Sequence, residues 1–483
     1  MFKKTRAKKI LLITLAVIIA IILALVVVFF YVNNRINNLI LNELISKEGA
    51  TIMTQEDRDS FTRLLPILLG FGEEKTYLFL FLNNTELRPG GGFIGVYGVV
   101  TIDGGKVKIE KVEGSENLDH SAPSTPKPVP PKPLSDHLGV DRWWFRDSNW
   151  SPDFMESSKK TLELYMLEQG YKAGEIDGVI GVTPTVLEEL LKIIGPISVD
   201  GMTFDSENVT RKLEYEVEYA YKDRDIAVED RKVIVGIFMK ELFKKMGLTA
   251  ILNWQEYLDT AVKLSNEKQI LIYARDDVLQ DQIERLNWAG RVQDTSDDYV
   301  MWVDANLGAL KTDHAIERIV KYSITPQEDG RFVANVNMEY THNGSFDWRT
   351  SRYLSYVKVL VPKGSELVNV NRDGKKVGSS VDSGVELGKT WFGTFFKLEP
   401  GNISNLSFSY YLPNNIVEKI NNGTYDLTIQ RQSGADTYDL TFELNFDKKL
   451  SGASPAEKEE FWGDSLYQYE TNLSVDRSVS VEF

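Results

Sequence analysis

The residues best suited to chemistry lie in one loop, at positions 83–92, between two apolar stretches of the chain. Its polar and glycine members include Asn83, Asn84, Glu86, Arg88, Gly90, Gly91 and Gly92. Consecutive glycines reach positive φ angles and allow successive backbone N–H groups to point into one concavity, which suits an anion. An arginine beside them offers a planar fork that binds phosphate through two hydrogen bonds. The sequence therefore predicts a phosphate-binding loop. The alternative is a tight inter-strand turn whose glycines serve the turn alone.

The stretches on either side would hold this loop rigid. Residues 77–82 form one apolar run and residues 93–102 form a second, mostly apolar run. Both are typical of strands in a sheet that is covered on both faces. The loop lacks the GxxxxGK[ST] pattern of a P-loop, and a strand rather than a helix follows it. Nucleotide binding of the usual kinds is therefore not expected.

A second distinctive segment is DRWWFRDSNWSPDF, at residues 141–154. Its aromatic residues are interleaved with arginines, carboxylates and an asparagine, among them Asp147 and Asn149. Aromatic faces suit stacking against a sugar or packing against an isoprenoid chain, and polar groups suit hydroxyls or a bound cation. The alternative is that the tryptophans anchor the preceding proline-rich segment to the core.

A third group of charges falls at the junction of two helices, which the pattern predicts at residues 208–222 and 229–246. The group includes Arg224 and Arg231. Most charges of this kind belong to solvated helix faces, so the composition alone gives them no role.

The composition excludes several classes of function. The chain has no cysteine, which rules out disulfides, thiolate metal sites and cysteine nucleophiles. Its four histidines do not occur at metal-ligand spacing, so zinc chemistry is not expected. The formal net charge is −15, although the first nine residues carry five basic side chains and no acid. So acidic a chain is a poor match for nucleic acid, because phosphate neutralisation dominates that binding.

The N-terminus has the pattern of a membrane anchor. Residues 1–9 form a basic tail, and residues 10–32 are free of charge, long enough to cross a hydrocarbon core of about 30 Å. The run is too long for a signal peptide, and no small-residue cleavage site ends it. The positive-inside rule places the tail in the cytoplasm and the bulk of the chain outside the cell membrane. The amphipathic pattern of residues 33–72 predicts a helical stalk.

The pattern of apolar and polar residues divides the rest of the chain into two domains. Residues 73–312 alternate strand and helix patterns, which predicts an α/β domain, interrupted by a proline-rich excursion at residues 121–135. Residues 313–450 show many short alternating segments between turns, which predicts an antiparallel β-sandwich. The polar tail at residues 451–483 has no clear pattern.

Several motifs together resemble an uncharacterised bacterial family, number four thousand and twelve among the domains of unknown function. They are FLNNTELRPGGGFIGVYG, RDSNWSPDF, DGVIGVTPTVLEELLKIIGPI, the charged stretch at residues 219–231, and VDANLGALKTDH. The resemblance spans roughly residues 73–446. More remotely, residues 73–246 resemble the catalytic domain of LytR-CpsA-Psr proteins, which implies an α/β/α sandwich.

LytR-CpsA-Psr proteins are membrane-anchored phosphotransferases that move glycopolymers from polyprenyl-pyrophosphate carriers onto peptidoglycan, using arginines and Mg²⁺. The resemblance implies that Arg88 and Arg231 are catalytic, and that the loop glycines, Asn84, Asn149 and Arg224 contact the substrate. The aspartate expected two positions after the loop arginine is Gly90, so the resemblance leaves Glu86 or Asp147 as the metal ligand. Where a proline-arginine-aspartate motif is expected, residues 113–117 read EGSEN, so one catalytic arginine has no counterpart.

Two functions follow from these residues. In the first, the protein binds or transfers a polyprenyl-(pyro)phosphate-linked glycan or cell-wall polymer at the outer membrane surface, by metal- and arginine-assisted phosphoryl transfer. In the second, it is a non-catalytic envelope protein for binding, adhesion or assembly, with a degenerate site. The missing arginine and aspartate favour the second function, whereas the sequence as a whole leans slightly toward binding of a carrier-linked glycan.

Overall fold

The structure is a computed structural model of the chain, and it describes residues 55–124, 126–223, 233–249, 252–378 and 380–483. These residues form two compact units. Unit 1 comprises the described parts of residues 1–83, 93–129 and 142–291. Unit 2 comprises the described parts of residues 84–92, 130–141 and 292–483. Unit 2 is therefore assembled from three separate stretches of sequence.

The α-helices among the described residues are, in chain order, α1 (Gln55–Leu68), α2 (Ser115–Ser121), α3 (Lys132–Leu138), α4 (Phe154–Leu167), α5 (Thr185–Ile194), α6 (Val209–Tyr215), α7 (Tyr221–Asp223), α8 (Val233–Thr249), α9 (Trp254–Asn266), α10 (Asp277–Arg285) and α11 (Asn414–Asn421). A π-helical turn, Glu216–Ala220, joins α6 to α7.

The strands of unit 1 are β1 (Lys75–Asn83), β2 (Phe93–Asp103), β3 (Lys106–Gly114), β4 (Gly178–Val182), β5 (Ile197–Val199), β6 (Met202–Phe204) and β7 (Ile270–Ala274). The strands of unit 2 are β8 (Asp298–Asn306), β9 (Ile316–Pro326), β10 (Phe332–His342), β11 (Tyr353–Pro362), β12 (Glu366–Arg372), β13 (Lys375–Lys376), β14 (Val381–Glu386), β15 (Lys389–Leu398), β16 (Ile403–Tyr411), β17 (Thr424–Gln430), β18 (Asp439–Asn445), β19 (Gly452–Ser454), β20 (Leu466–Asn472) and β21 (Arg477–Glu482).

Unit 1 is organised around a five-stranded sheet in the order β3-β2-β1-β4-β7. β1 and β4 are parallel, and the other neighbours are antiparallel. Because side chains alternate along a strand, Tyr77 and Phe79 of β1 enter one hydrophobic core, and Leu78 and Leu80 enter another. α1, α5, α8 and α9 complete the first core, and α2 and α4 complete the second. Unit 1 is thus a mixed α/β structure, as the apolar runs predict.

The helix α1 is part of the body of unit 1 rather than a free-standing stalk. Leu64, Leu65 and Leu68 are buried in the same core as Tyr77. Residues 33–54 of the predicted stalk, the basic tail at 1–9 and the predicted anchor at 10–32 lie outside the described residues. Among the residues that the structure describes, no helix has the length and apolar character needed to cross a membrane.

Unit 2 contains two seven-stranded sheets that contribute to one hydrophobic core. Their orders are β13-β12-β16-β10-β9-β18-β20 and β14-β15-β11-β8-β17-β21-β19. β10 shows why the sequence folds this way, since its residues alternate between buried and half-buried along the whole strand. The C-terminal region is therefore β-rich, as predicted. The sheets are mixed rather than purely antiparallel, because β8 pairs parallel with β17 and β9 with β18. Two strands joined by a tight hairpin must run antiparallel. The two strands of each of these pairs are far apart in the chain, so they can run parallel.

The limits of unit 2 differ from those predicted. β8 lies between β11 and β17, so unit 2 takes up the chain at residue 292 rather than at residue 313. Part of the proline-rich excursion forms α3, which ends at Gly139 in the left-handed conformation. The tail at 451–483 supplies β19, β20 and β21, which pair with strands of both sheets. These assignments depend on strand partners that are distant in sequence.

Candidate functional site

The predicted phosphate loop is built into unit 2. Asn84 Nδ2 donates to the Gly434 carbonyl at 3.0 Å. The Leu87 N–H donates to Asp313 Oδ2 at 3.1 Å, and the Leu87 carbonyl accepts from the Asn306 N–H at 2.9 Å. The Leu87 side chain is 2% exposed and belongs to the core that the two sheets share. The loop is thus held by backbone and side-chain contacts within unit 2.

Arg88 faces acceptors of the protein itself. Its residue is 2% exposed. One terminal guanidinium nitrogen donates to the Asn306 carbonyl, and the other donates to Glu86 Oε1 at 3.2 Å. The Arg88 carbonyl accepts from Gln432 Nε2 at 3.1 Å. These contacts direct the guanidinium into unit 2, whereas phosphate binding would require the fork to be open to a ligand.

The loop glycines are buried, and Gly434 packs closely against the backbone of Gly91. Gly90, Gly91 and Gly92 are buried, and Gly91 and Gly92 have φ angles of 117° and 145°. The Gly91 N–H donates to the Arg88 carbonyl at 3.0 Å. Gly434 lies so close that a Cβ added there would be 2.0 Å from the Gly91 carbonyl oxygen. Positive φ and close backbone approach are both reasons for glycine. This geometry agrees with the alternative of a tight turn.

A buried polar network lies beside the loop in unit 2. Arg318 Nε donates to Asp304 Oδ2 at 3.0 Å, and its terminal nitrogen donates to Asp313 Oδ1 at 2.7 Å and to the Tyr353 hydroxyl at 2.8 Å. The Tyr340 hydroxyl donates to Asp304 Oδ1 at 2.9 Å. Burial raises the pKa of Asp304, and the Arg318 charge opposes that shift. The same Asp313 carboxylate holds the Leu87 N–H, so the network positions the loop.

The tryptophan segment is packed into unit 1. Phe145 is fully buried and makes an edge-to-face contact with Tyr97, with ring centroids 5.1 Å apart. Trp143 Nε1 donates to the Asp147 carbonyl at 2.9 Å, and Trp150 is 9% exposed. Aromatic rings that stack on a sugar would present an open face. The contacts agree better with an anchoring role.

Four charged residues lie close together in unit 1, and sequence reasoning singled out only Arg146 among them. Arg146 is ion-paired with Asp119, and Lys127 Nζ is 3.2 Å from Glu168 Oε1. Burial raises the pKa of Asp119 to about 8, against the lowering effect of Arg146 and with a further contribution from the Glu168 charge. No spacing rule relates positions 119, 127, 146 and 168. Only the fold identifies them as a group.

The predicted site residues are thus divided. Asn84, Glu86, Arg88 and the three glycines belong to unit 2, and Asp147 and Asn149 belong to unit 1. Arg224 and Arg231 lie outside the described residues. Asp147 and Asn149 are 5% and 1% exposed. Within the described part of the chain, no three His, Asp or Glu side chains are arranged to hold a metal ion, and Glu86 is engaged by Arg88.

An apolar cavity of about 50 Å³ lies in unit 1 between α1 and α9, and its lining includes Leu65, Val262 and Trp288. Small-molecule sites typically enclose about 300–1,000 Å³.

One family model matches the part of the chain that contains the glycine loop and the tryptophan segment. Residues 72–218 match the family model described as "Protein of unknown function (DUF4012)". This matched stretch is called the DUF4012 region below. The DUF4012 region includes the glycine loop, the tryptophan segment and the buried charges of unit 1. Among proteins with curated descriptions, none matches the chain.

Solved structures show only distant likeness. A Legionella pneumophila protein described as a candidate nutrient-binding protein is 10% identical over 38% of this chain and 71% of its own, with a TM-score of 0.26. Yeast LTA4 hydrolase in complex with bestatin is 10% identical over 35% of this chain and 29% of its own, with a TM-score of 0.20. An M1 zinc metallopeptidase from Deinococcus radiodurans is 11% identical over 35% of this chain and 42% of its own, with a TM-score of 0.18. These values are too low to inform function.

Proposed function

We propose that the protein is a non-catalytic binding or scaffold protein of the cell envelope, anchored by residues 10–32 with the two units outside the membrane. The uncharged run and the preceding basic tail support the anchor and its orientation. The observation that carries the non-catalytic part of the proposal is the environment of Arg88. Its guanidinium donates to Asn306 and Glu86 inside unit 2, so its role there is structural.

The packing of the glycine loop supports the same proposal. A phosphate-binding loop needs N–H groups that are open to the anion. Here the Gly91 N–H is used by the Arg88 carbonyl, and the Gly91 carbonyl lies against Gly434. The positive φ angles of Gly91 and Gly92 are sufficient reason for glycine at those two positions.

The remote resemblance to LytR-CpsA-Psr domains is retained as a proposal about fold. A central sheet with helices on both faces supports an α/β/α sandwich of that kind in unit 1. The departures at Gly90 and at residues 113–117 support a shared fold without the shared activity. In this proposal, the DUF4012 region has kept the architecture while its loop arginine has become part of unit 2.

The variant Arg88→Ala tests the proposal. Removing the guanidinium leaves the buried Asn306 carbonyl and Glu86 without this donor, and we expect a loss of about 2–5 kcal/mol in the free energy of unfolding. The control is Arg352→Ala, since Arg352 is about half exposed and pairs with Glu399 at the surface. Its expected loss is below about 1 kcal/mol. Chemical denaturation of the full chain in detergent measures both.

The same full chain is then incubated with a polyprenyl-pyrophosphate-linked disaccharide and MgCl₂, and release of the lipid product is followed. The proposal expects no turnover by the unmodified protein. Turnover that is present in the unmodified protein and in Arg352→Ala, and absent in a folded Arg88→Lys variant, would contradict it. That result would assign Arg88 to phosphoryl transfer.

A further inference from the structure

A lysine and a glutamate lie side by side in the interior of unit 1. Lys127 Nζ is 3.2 Å from Glu168 Oε1, and the two side chains are 1% and 0% exposed. Among the described residues, neither Lys127 Nζ nor Glu168 Oε2 has a hydrogen-bond partner. A buried ion pair is favourable only when its remaining donors and acceptors are satisfied, because desolvation of both charges opposes the attraction. The ionic state of this pair is therefore a costly one.

The surroundings of the pair supply the groups that an acyl-transfer step needs. The Phe145 N–H donates to Glu168 Oε1 at 3.1 Å, where it would stabilise negative charge on that oxygen. Asp119 is 2% exposed, and burial together with the Glu168 charge raises its pKa to about 8, which suits it to exchange protons near neutral pH. Trp144 covers the amine, with Lys127 Nζ 5.3 Å from the ring centroid. Water is thus largely excluded from the pair.

We propose that Lys127 and Glu168 condense into an intramolecular amide, with Asp119 as the catalytic residue of the reaction. A proton first passes from the ammonium to the carboxylate, which gives an amine and a carboxylic acid. Nζ then attacks Cδ of Glu168, and the Phe145 N–H stabilises the oxygen that remains. Asp119 takes a proton from the nitrogen and returns one to the departing oxygen. The N–C bond forms, one C–O bond breaks, and one water leaves, so the step needs no oxidant and no other co-reactant.

The cross-link has a structural consequence that is independent of the proposed function. Lys127 lies in the proline-rich segment, and Glu168 is the residue directly after α4. An amide would replace two buried charges with a neutral group and tie the segment to the end of this helix. It would also restrict the unfolded chain by closing a loop.

Mass spectrometry of the full chain under denaturing conditions tests the proposal. We expect the mass of the purified protein to be lower than the sequence mass by one water. A proteolytic digest is expected to contain a branched peptide that joins Lys127 to Glu168. The variant Lys127→Arg keeps the positive charge but cannot form this amide, and its expected mass is that of its sequence.

Two further variants separate the chemistry from the packing. Asp119→Asn is expected to slow the condensation by about 10²–10⁴-fold, since it removes the acid–base group. Freshly purified Asp119→Asn therefore carries its sequence mass while keeping the circular dichroism spectrum of the folded protein. The control is Lys263→Arg, because Lys263 and Glu189 are also 3.2 Å apart but have side chains 48% and 17% exposed. This variant is expected to retain the loss of water.

Three results would overturn the proposal. One is an unmodified protein that keeps its sequence mass after prolonged incubation in the folded state, which would assign the pair as an ordinary ion pair. Another is a loss of water that persists in Lys127→Arg, which would place the dehydration elsewhere. The third is a branched peptide that joins other residues.

Discussion

Single buried carboxylates in unit 2 are held by hydroxyl groups of tyrosines. Asp298 is 0% exposed and accepts from the Tyr322 and Tyr425 hydroxyls, each at 2.6 Å, and from the Tyr299 N–H at 2.8 Å. Burial raises the pKa of Asp298 to about 6, although the two tyrosine hydrogen bonds lower it. An acid whose pKa is higher in the folded state than in the unfolded chain binds its proton more tightly when folded.

This shift predicts a pH dependence of stability. The contribution of Asp298 is fully present below its unfolded pKa, near 4, and is lost as the pH rises through about 6. Relative to Asp298→Asn, the free energy of unfolding of the unmodified protein should fall by up to about 3 kcal/mol across that window. Denaturant titrations of both proteins between pH 4 and pH 8 measure the difference.

The variant Tyr425→Phe provides the matched test, because it removes one donor from the charged carboxylate. The pH range over which the contribution of Asp298 to stability is lost should then move to higher pH. The free energy of unfolding of the unmodified protein is compared with that of Asp298→Asn at each pH. If the unmodified protein does not lose stability relative to the variant as the pH rises, the pKa of Asp298 is not raised in the folded state.

At the scale of elements, the glycine loop is a short connection between β1 and β2 that packs as part of unit 2. Its contacts involve β8 through Asn306 and the residues after β17 through Gln432 and Gly434. Gly434 has a φ angle of 72° and lies against the Gly91 carbonyl. The loop therefore depends on two glycines that approach each other from distant parts of the chain.

Replacing Gly434 with alanine should strongly destabilise the protein. The added Cβ would be 2.0 Å from the Gly91 carbonyl oxygen, which forces the backbone to move, and the positive φ adds strain. We expect a loss of about 2–5 kcal/mol, measured by chemical denaturation of the full chain.

The variant Gly374→Ala separates the backbone strain of a positive φ angle from the steric clash of an added Cβ. Gly374 has a φ angle of 76°, and an added Cβ would meet no atom within 4 Å. Its expected loss is about 1–2 kcal/mol, which is the penalty of the left-handed conformation alone. Equal losses in the two variants would show that the contact with Gly91 is unimportant.

At the scale of the whole molecule, the sequence predicts a protein that crosses the membrane once. The basic tail at residues 1–9 and the uncharged run at 10–32 predict a cytoplasmic N-terminus and an extracytoplasmic body. Everything that the structure describes lies after the predicted anchor in the chain. Acidic composition and the absence of cysteine are compatible with this location but do not require it.

Protease accessibility tests this topology. In cells stripped of their outer layers, added protease should remove an epitope at the C-terminus and leave an epitope at the N-terminus intact. Detergent lysis is the control, since both epitopes should then be digested. Protection of both epitopes before lysis would show that the body lies on the cytoplasmic side.

The sequence by itself determined the features that depend on local pattern. The apolar runs predicted β1 and β2, because a strand covered on both faces has no polar side. Alternating residues predicted a β-rich region after residue 313, because one face of strands such as β9 and β10 is more buried than the other. The motifs at residues 81–98 and 177–197 also led to the DUF4012 resemblance, which the family model confirms over residues 72–218.

Only the tertiary structure decided what the charged and glycine residues do. Arg88 and three glycines have the composition of a phosphate loop, yet Asn306, Gln432 and Gly434 use their hydrogen bonds and space. Those partners lie more than 200 residues away along the chain, where local pattern carries no information. Lys127 and Glu168 likewise become neighbours only through the fold of unit 1. A side chain's chemistry depends on what surrounds it, and the fold sets those surroundings.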